Sequence, residues 1–232
     1  VEEIAESFGV SHATVRRDLA RLGAGSGVAR TYGGIALVSR VEVPTRERET
    51  ARSTAKDAIG KAAARRVQDG DTIIVDAGST TTRLTKHLAE RQGITVITNG
   101  VGVITSLLDH TGIEVIVLGG RLRGINETIT GPEAEEMLQH VYAATAFMGT
   151  DAIDEALGLA SRTMPQSRLK SLMMRRAAEV VILADSTKLR GGPLNFWSAL
   201  DRPWRLITDT EASEQDIERA RRAGAIEVEL AT

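Results

Sequence analysis

From residue 70 onward, short runs of β-branched and other apolar residues alternate with segments in which apolar residues recur at helical spacing. Strands that are nearly continuous in apolar residues are typical of a parallel sheet covered by helices on both faces. This region is therefore predicted to be an α/β domain. The predicted strands are 72–76, 95–99, 115–119, 146–149, 180–185 and 205–208, and the predicted helices are 81–90, 103–108, 133–140, 166–178 and 214–222.

The beginning of the chain follows a different pattern. Two short amphipathic helices are predicted there, with apolar faces formed by Val1, Ile4, Ala5 and Phe8 and by Val15, Leu19 and Leu22. Gly9 supplies the permissive backbone of a tight turn between them, and Ser11 occupies the N-cap position of the second helix. Residues 28–35 resemble a short two-stranded wing. The pattern predicts a winged helix-turn-helix.

Charge distinguishes this segment from an ordinary surface helix that carries three arginines. Residues 9–41 contain five arginines and one acid, about +4, whereas the whole chain has a formal charge of −2. Such a separation is typical of a surface that binds phosphates, and it favours double-stranded DNA as a partner. The predicted DNA contacts are Ser11, His12, Ala13, Thr14, Arg16, Arg17, Arg21, Arg30 and Tyr32.

Polar residues follow most of the predicted strands. Ligands of parallel sheets bind at the carboxyl ends of strands, and the loop 76–82 combines a glycine with several hydroxyls before a predicted helix. The loop has neither a Walker A nor a GxGxxG spacing, and a cap that binds nothing is the alternative. The predicted effector-binding residues are Asp76, Gly78, Ser79, Thr80, Thr81, Asn99, Gly119, Gly120, Arg123, Asp151, Lys170, Asp185 and Lys188.

These motifs resemble the DeoR family of bacterial transcriptional regulators over nearly the whole chain. The resemblance is carried by Thr14-Val15-Arg16-Arg17-Asp18-Leu19, by Arg30-Thr31-Tyr32-Gly33-Gly34, and by the loops 76–82, 118–120 and 184–188. It implies a sensing domain similar in fold to ribose-5-phosphate isomerase, with Lys170 facing a phosphorylated sugar. It also implies a homo-oligomer.

The sequence departs from this family at three places. The family usually has a further helix before the first one here, so the DNA-binding domain is expected to be incomplete at its N-terminus. Tyr32 stands where the family usually has a histidine. Gln166 stands where relatives usually have an acidic residue, and this change weakens the case for proton transfer in the pocket.

Composition narrows the remaining classes of function. The chain has no cysteine, and its four histidines lack metal-ligand spacing, so neither a metal nor another cofactor is expected. No apolar run approaches the roughly 20 residues that a membrane helix needs, so no membrane partner and a cytoplasmic location are expected. The expected domains are 1–38 for DNA binding, 39–56 as linker, leading into a helix that includes Ile59, and 57–232 for sensing.

The leading hypothesis is a regulator, most simply a repressor of a sugar-metabolism operon, whose operator binding is controlled by a phosphorylated sugar. The alternative is an isomerase-like enzyme with a vestigial DNA-binding segment. A protein that sequesters the effector without binding DNA is a third interpretation. The basic helix with its wing discriminates among them, because an isomerase has no use for it.

Overall fold

The computed structural model describes residues 5, 7–21, 28–31, 34–37 and 42–232. The chain divides into two units, Val1–Glu42 and Val43–Thr232, which are described separately.

The smaller unit contains a helical turn, a helix and a hairpin. Residues 5, 7 and 8 are helical, Gly9 has a φ of +62°, and the next helix spans His12–Arg21. Strands β1 and β2 then pair antiparallel, with Val28 opposite Leu37; they span Val28–Thr31 and Gly34–Leu37. The turn, the helix and the wing therefore follow the predicted order.

The apolar positions of this unit differ in exposure. Ala5 and Val15 are buried, whereas Phe8 is 75% exposed. Phe8 is the last helical residue before Gly9, where the chain turns. Outside the described residues lie Val1, Ile4, Leu22 and Tyr32, and the same holds for the side chains of Arg16, Leu19, Arg21 and Arg30.

A seven-stranded parallel sheet organises the larger unit, as predicted. Its strands are β3 Thr72–Val75, β4 Ile94–Thr98, β5 Ile113–Val117, β8 Ala143–Met148, β11 Ala177–Leu183, β13 Trp204–Asp209 and β14 Ala225–Ala231. They are arranged in the order β14-β13-β11-β8-β3-β4-β5. The helices are Thr45–Thr50, Ser53–Ala64, Thr81–Thr85, Val101–Leu107, Pro132–Gln139, Met164–Arg175 and Glu214–Arg222.

Neighbouring residues of a strand point to opposite faces of the sheet, so these apolar strands present a hydrophobic surface on each face. Helices cover both surfaces. Ile73 belongs to the same hydrophobic cluster as Ile59 of the Ser53–Ala64 helix, whereas Ile74 belongs to the cluster that contains Leu169 of the Met164–Arg175 helix. Two separate hydrophobic clusters result, one on each face. The central strands are therefore buried on both sides, which explains their continuous apolar sequence.

Smaller antiparallel elements, which the apolar pattern did not predict, stand beside the sheet. Strands β6 and β7, Arg121–Arg123 and Thr128–Thr130, form a hairpin. A three-stranded sheet has the order β12-β10-β9, with the strands Phe196–Ser198, Gly158–Ser161 and Ile153–Asp154. A short 3-10 helix spans Ser186–Lys188.

Most predicted boundaries of helices and strands differ from the structure by a few residues, and two observations bear on the surroundings of the sheet edge. The helix predicted over 81–90 ends at Thr85, because the amides of His87 and Leu88 bond three residues back in turns. Within the range 39–56, expected to be a linker, the Thr45–Thr50 helix is anchored to the larger unit. The Thr45 amide donates to the Ile125 carbonyl at 3.0 Å.

Candidate functional site

A small cavity lies at the carboxyl ends of β3, β8 and β11, with about 480 Å³ of empty space when the open solvent at its mouth is included. Loops that follow these strands supply much of its wall, since the ends of parallel strands meet at one edge of the sheet. The remaining wall comes from the β6–β7 hairpin, from β10 and from two helices. The polar residues that line the cavity are Arg48, Ser79, Thr80, Asn126, Thr128, Thr150, Asp151, Ser161, Gln166, Lys170 and Lys188.

Asn99 and Gly100, which follow β4, fix the position of the loop after β3. The Asn99 side chain accepts a hydrogen bond from the Ala77 amide at 3.0 Å and donates to the Ile129 carbonyl at 3.2 Å. A Cβ at Gly100 would lie 2.8 Å from the Ala77 Cα, so only glycine permits this approach. Asn99 therefore positions the loop and is absent from the cavity wall.

Hydroxyls fix the turn of this loop from the inside. Thr81 and Thr82 both donate to the Gly78 carbonyl, at 2.9 and 2.8 Å. Within the described chain, the amides of Ser79 and Thr80 donate no hydrogen bond, and both residues line the cavity. The loop thus presents free N–H donors and two hydroxyls to a ligand.

A buried ion pair forms the floor beside this loop. The Lys170 ammonium contacts the Asp76 carboxylate and donates to the Gly149 carbonyl at 2.8 Å. The Gly149 amide in turn donates to Asp76 Oδ2 at 3.1 Å. Burial raises the pKa of the Asp76 carboxyl, while Lys170 and the amides of Gly149 and Ala77 act in the opposite direction. Lys170 faces the cavity, and Asp76 lies behind it.

A second group of charges surrounds Asp151. Arg48 Nη1 donates to Asp151 Oδ1 at 3.1 Å, and Arg162 Nε lies 3.5 Å from Asp151 Oδ2. Lys188 Nζ donates to the Thr150 carbonyl at 3.1 Å. Burial lowers the pKa of Lys188, although Asp151 and Asp185 act against this effect. The lining side chains therefore carry more positive than negative charge.

The structure brings six of the thirteen predicted effector residues into the wall of the cavity: Gly78, Ser79, Thr80, Asp151, Lys170 and Lys188. Of the others, Asp76 supports Lys170, Thr81 and Asn99 shape the loop, and Arg123 belongs to β6. Gly119 and Gly120 directly precede β6, and Gly120 has a φ of +126°. The Asp185 side chain caps the 3-10 helix by accepting from the Thr187 amide at 3.2 Å. These seven lie outside the cavity wall.

Sequence reasoning missed several lining residues. Arg48 lies in the range expected to be linker, and Asn126, Thr128 and Ser161 come from antiparallel elements that the parallel-strand rule does not cover. Gln166 was singled out only as a departure from a family pattern. Its carbonyl oxygen accepts from the Thr163 hydroxyl at 3.0 Å. The sequence carried no direct signal for Arg48, Asn126, Thr128 and Ser161.

Predicted DNA contacts occupy the start of the His12–Arg21 helix. The Ser11 hydroxyl caps that helix by accepting from the Thr14 amide at 3.1 Å. His12, Ala13 and Arg17 are exposed, and Thr14 is half-buried. The helix thus presents small, polar and basic side chains at its N-terminal end.

Two kinds of feature are absent from the described residues. None of the helices there is long and apolar enough to cross a membrane. No group of three or more His, Asp or Glu side chains in that part of the chain is arranged to hold a metal ion.

Comparison with solved structures gives only distant similarity. The ribose 5-phosphate isomerase A of Methanocaldococcus jannaschii is 19% identical, with a TM-score of 0.44, over 60% of this chain and 55% of that one.

Sequence comparisons are more specific. One relative is described as the putative aga operon transcriptional repressor of Escherichia coli O157:H7, which is 30% identical over 97% of this chain and 85% of its own length. Another is the lactose phosphotransferase system repressor of Lactococcus lactis subsp. lactis, 33% identical over 94% of this chain and 87% of its own. Residues 1–41 match the DeoR-like helix-turn-helix domain and residues 51–210 the DeoR C terminal sensor domain. The chain therefore belongs to the DeoR family of transcriptional regulators.

Proposed function

We propose that this chain represses a sugar-metabolism operon and that a phosphorylated sugar, bound in the cavity, controls its binding to operator DNA. The observation that carries the ligand half is Lys188. Lys188 is half-buried, and among the described residues its hydrogen-bond partner is a neutral carbonyl, that of Thr150. Burial lowers the pKa of Lys188 although Asp151 and Asp185 act against this effect. Because lost hydration makes a cation unfavourable unless anions compensate it, an anionic ligand would stabilise Lys188 further.

The rest of the wall suits a phosphate that is attached to a polyol. The free amides of Ser79 and Thr80 suit phosphate oxygens, as backbone N–H groups do in other anion sites. Hydroxyl and amide side chains of Thr128, Ser161 and Gln166 suit sugar hydroxyls. An apolar effector would leave the amides of Ser79 and Thr80 and the hydroxyl of Ser161 without partners.

The DNA half rests on the exposed start of the His12–Arg21 helix. Recognition helices contact base edges through their N-terminal residues and phosphates through basic side chains. His12, Ala13 and Thr14 would then read base edges, and Arg17 would contact phosphates. Ser11, Arg16, Arg21, Arg30 and Tyr32 complete the proposed surface.

Thermal unfolding with phosphorylated sugars tests the ligand half. Ribose 5-phosphate, glucose 6-phosphate and their unphosphorylated counterparts form the panel, because a ligand at 100 times its Kd adds about 2.7 kcal/mol to stability. We expect at least one phosphorylated member to raise the Tm and its free sugar to leave it unchanged. Lys188→Met should abolish the rise, whereas Lys61→Met, an exposed lysine, should retain it. An unchanged rise in Lys188→Met would refute the proposal.

The helix Thr45–Thr50 supports a route from the cavity to the DNA-binding unit, which precedes it in the chain. Arg48 of this helix lines the cavity and pairs with Asp151, and an anionic ligand offers it a competing partner. Effector binding would therefore change the contacts of the segment that follows the helix-turn-helix.

Operator release tests this route. With DNA that the protein selects from a random-sequence pool, saturating effector should release the parent protein but not Arg48→Met. Arg46→Met is the matched control, since Arg46 lies on the same helix, is 88% exposed and pairs with Glu127 outside this cavity. Full release of Arg48→Met at saturating effector would contradict the route.

We further propose a homo-oligomer, because a single helix-turn-helix contacts too little DNA for strong specificity and such domains read paired half-sites. Sedimentation velocity at micromolar concentration should give a species larger than the 24.9 kDa chain.

A further inference from the structure

Two uncharged side chains of the cavity wall carry a buried polar atom that has no hydrogen-bond partner among the described residues; Nε of the lining residue Arg48 is a third such atom, on a charged group. The two uncharged atoms are the side-chain oxygen of Asn126 and the hydroxyl of Ser161. Asn126 is 5% exposed and Ser161 is 1% exposed, and both line the cavity. Buried polar groups are nearly always paired in proteins, so two unpaired groups at one cavity call for an explanation.

Neighbouring groups of the described chain form no hydrogen bond with either of these side-chain oxygens. Asn126 lies in the turn of the β6–β7 hairpin, where its backbone carbonyl accepts from the Thr128 hydroxyl at 3.1 Å while its side-chain oxygen stays unpaired. Ser161 ends β10, and its backbone pairs with Phe196 of β12. Backbone structure thus fixes both residues, but it uses neither side-chain oxygen.

The chemistry of the pair specifies its partner. The amide oxygen of Asn126 only accepts hydrogen bonds, whereas the Ser161 hydroxyl both donates and accepts. Asp151, which shares the wall, also only accepts. A second phosphate or a carboxylate would bring more acceptors and negative charge to this group, whereas a sugar hydroxyl brings a proton to donate.

We infer that Asn126 and Ser161 form a hydroxyl-selecting subsite of the cavity. The inference rests on the proposed function and narrows its ligand class to a monophosphate whose carbon skeleton carries free hydroxyls. The charges agree with a single phosphate. Lys170 and Arg48 are paired with Asp76 and Asp151, whereas Lys188 forms no ion pair among the described residues and interacts with Asp151 and Asp185 only at longer range.

Stability of the free protein gives the first test, because a structural role and a ligand role predict opposite results. Ser161→Ala and Asn126→Leu remove an unpaired buried polar atom, so neither should lower the Tm. Ser198→Ala is the matched control. The Ser198 hydroxyl is equally buried but donates to the Ser167 carbonyl at 2.8 Å, and its loss should lower the Tm. A Tm lowered in both subsite variants as far as in Ser198→Ala would overturn the inference.

Ligand binding gives the second test, with inorganic phosphate, glycerol 3-phosphate, ribose 5-phosphate and glucose 6-phosphate as probes. In the parent protein, at least one polyol monophosphate should bind more tightly than inorganic phosphate. Ser161→Ala and Asn126→Leu should each weaken that ligand by about tenfold, as expected for one lost hydrogen bond, and leave the affinity for phosphate unchanged. Ser198→Ala should bind every probe as the parent does.

The outcomes separate this inference from the proposed function. If phosphate and the polyol monophosphates bind the parent equally, or if both variants keep the preference, the hydroxyl subsite is refuted and the anion site stands. If none of the four probes binds, the proposed function fails for these ligands, and the inference that rests on it fails too.

Discussion

Two ion pairs meet the same cavity, and they differ in how deeply they are buried. In the pair of Lys170 and Asp76 the side chains are 10% and 2% exposed, whereas in the pair of Arg48 and Asp151 they are 24% and 17% exposed. Asp76 has Lys170 as its only cationic contact in the described chain, but Asp151 also has Arg162. The first pair is buried between the end of β3 and the Met164–Arg175 helix, and the second lies in the wall of the cavity.

This difference separates two tasks. A buried ion pair is hard to exchange, because removal of one partner leaves an uncompensated charge out of water. A pair that solvent reaches can exchange one partner at much lower cost. Lys170 and Asp76 therefore hold the shape of the site, whereas under the proposed function Arg48 is a second cation, beside Lys188, that an incoming anion would recruit. The predictions below test this division, from the largest expected effect to the smallest.

Lys170→Met should destabilise the protein by about 3–5 kcal/mol, the usual effect of breaking a buried ion pair. Urea unfolding measures the change, and Lys61→Met, on the surface of the same unit, should remain within about 0.5 kcal/mol of the parent. Adding Asp76→Asn to Lys170→Met should recover part of the loss. If Lys170→Met alone lost no more stability than Arg48→Met, the two ion pairs would not differ in the way described.

The deficit of Lys170→Met should narrow as the pH falls. Burial raises the pKa of Asp76, and this variant lacks the Lys170 ammonium, which acts to lower that pKa in the parent. A carboxyl whose pKa is higher in the folded than in the unfolded state loses stability as the pH rises from its unfolded pKa to its folded pKa. Urea midpoints of variant and parent from pH 4 to 8 should therefore converge at the acid end. A constant gap would show that Asp76 does not titrate there.

Arg48→Met should weaken binding of the effector by about tenfold, the loss expected for one charged hydrogen bond. Isothermal calorimetry with the phosphorylated sugar that stabilises the parent measures this. Arg46→Met should bind it with parental affinity, since Arg46 does not line this cavity. Equal losses in the two variants would indicate a general charge effect.

Arg48→Met should change the stability of the free protein by about 1 kcal/mol or less. Its guanidinium is partly solvated, and Arg162 continues to compensate Asp151. The urea midpoint without ligand checks this. A loss as large as that of Lys170→Met would place Arg48 among the groups that hold the fold together.

The sequence predicted the parallel sheet well, because strands buried on both faces are marked by unbroken apolar runs such as those of β3 and β11. It did not predict β14, the edge strand, where Glu227 and Glu229 alternate with apolar residues and form ion pairs with Arg66. Such alternation follows the environment of an edge rather than a buried strand. Membership of the DeoR family, stated from the N-terminal and strand-end motifs, is confirmed.

The candidate site was predictable only where it follows the parallel strands. Lys188 and Ser79 were found because they stand directly after β11 and β3. Arg48 and Asn126 reach the cavity through long-range contacts that no local pattern encodes, such as the bond between Thr45 and Ile125. The predicted role of the six lining residues in effector binding stays a prediction.

The sequence separation of the paired residues has a consequence for folding. Lys170 and Asp76 are 94 positions apart, and Arg48 and Asp151 are 103 positions apart. No fragment of the larger unit that ends before Lys170 contains all four of them, and the lining residue Lys188 comes later still, so a partly folded chain has no complete cavity. A ligand of this cavity binds the completed fold alone and draws the folding equilibrium toward it. The effector that controls the regulator would thus also protect it from proteolysis.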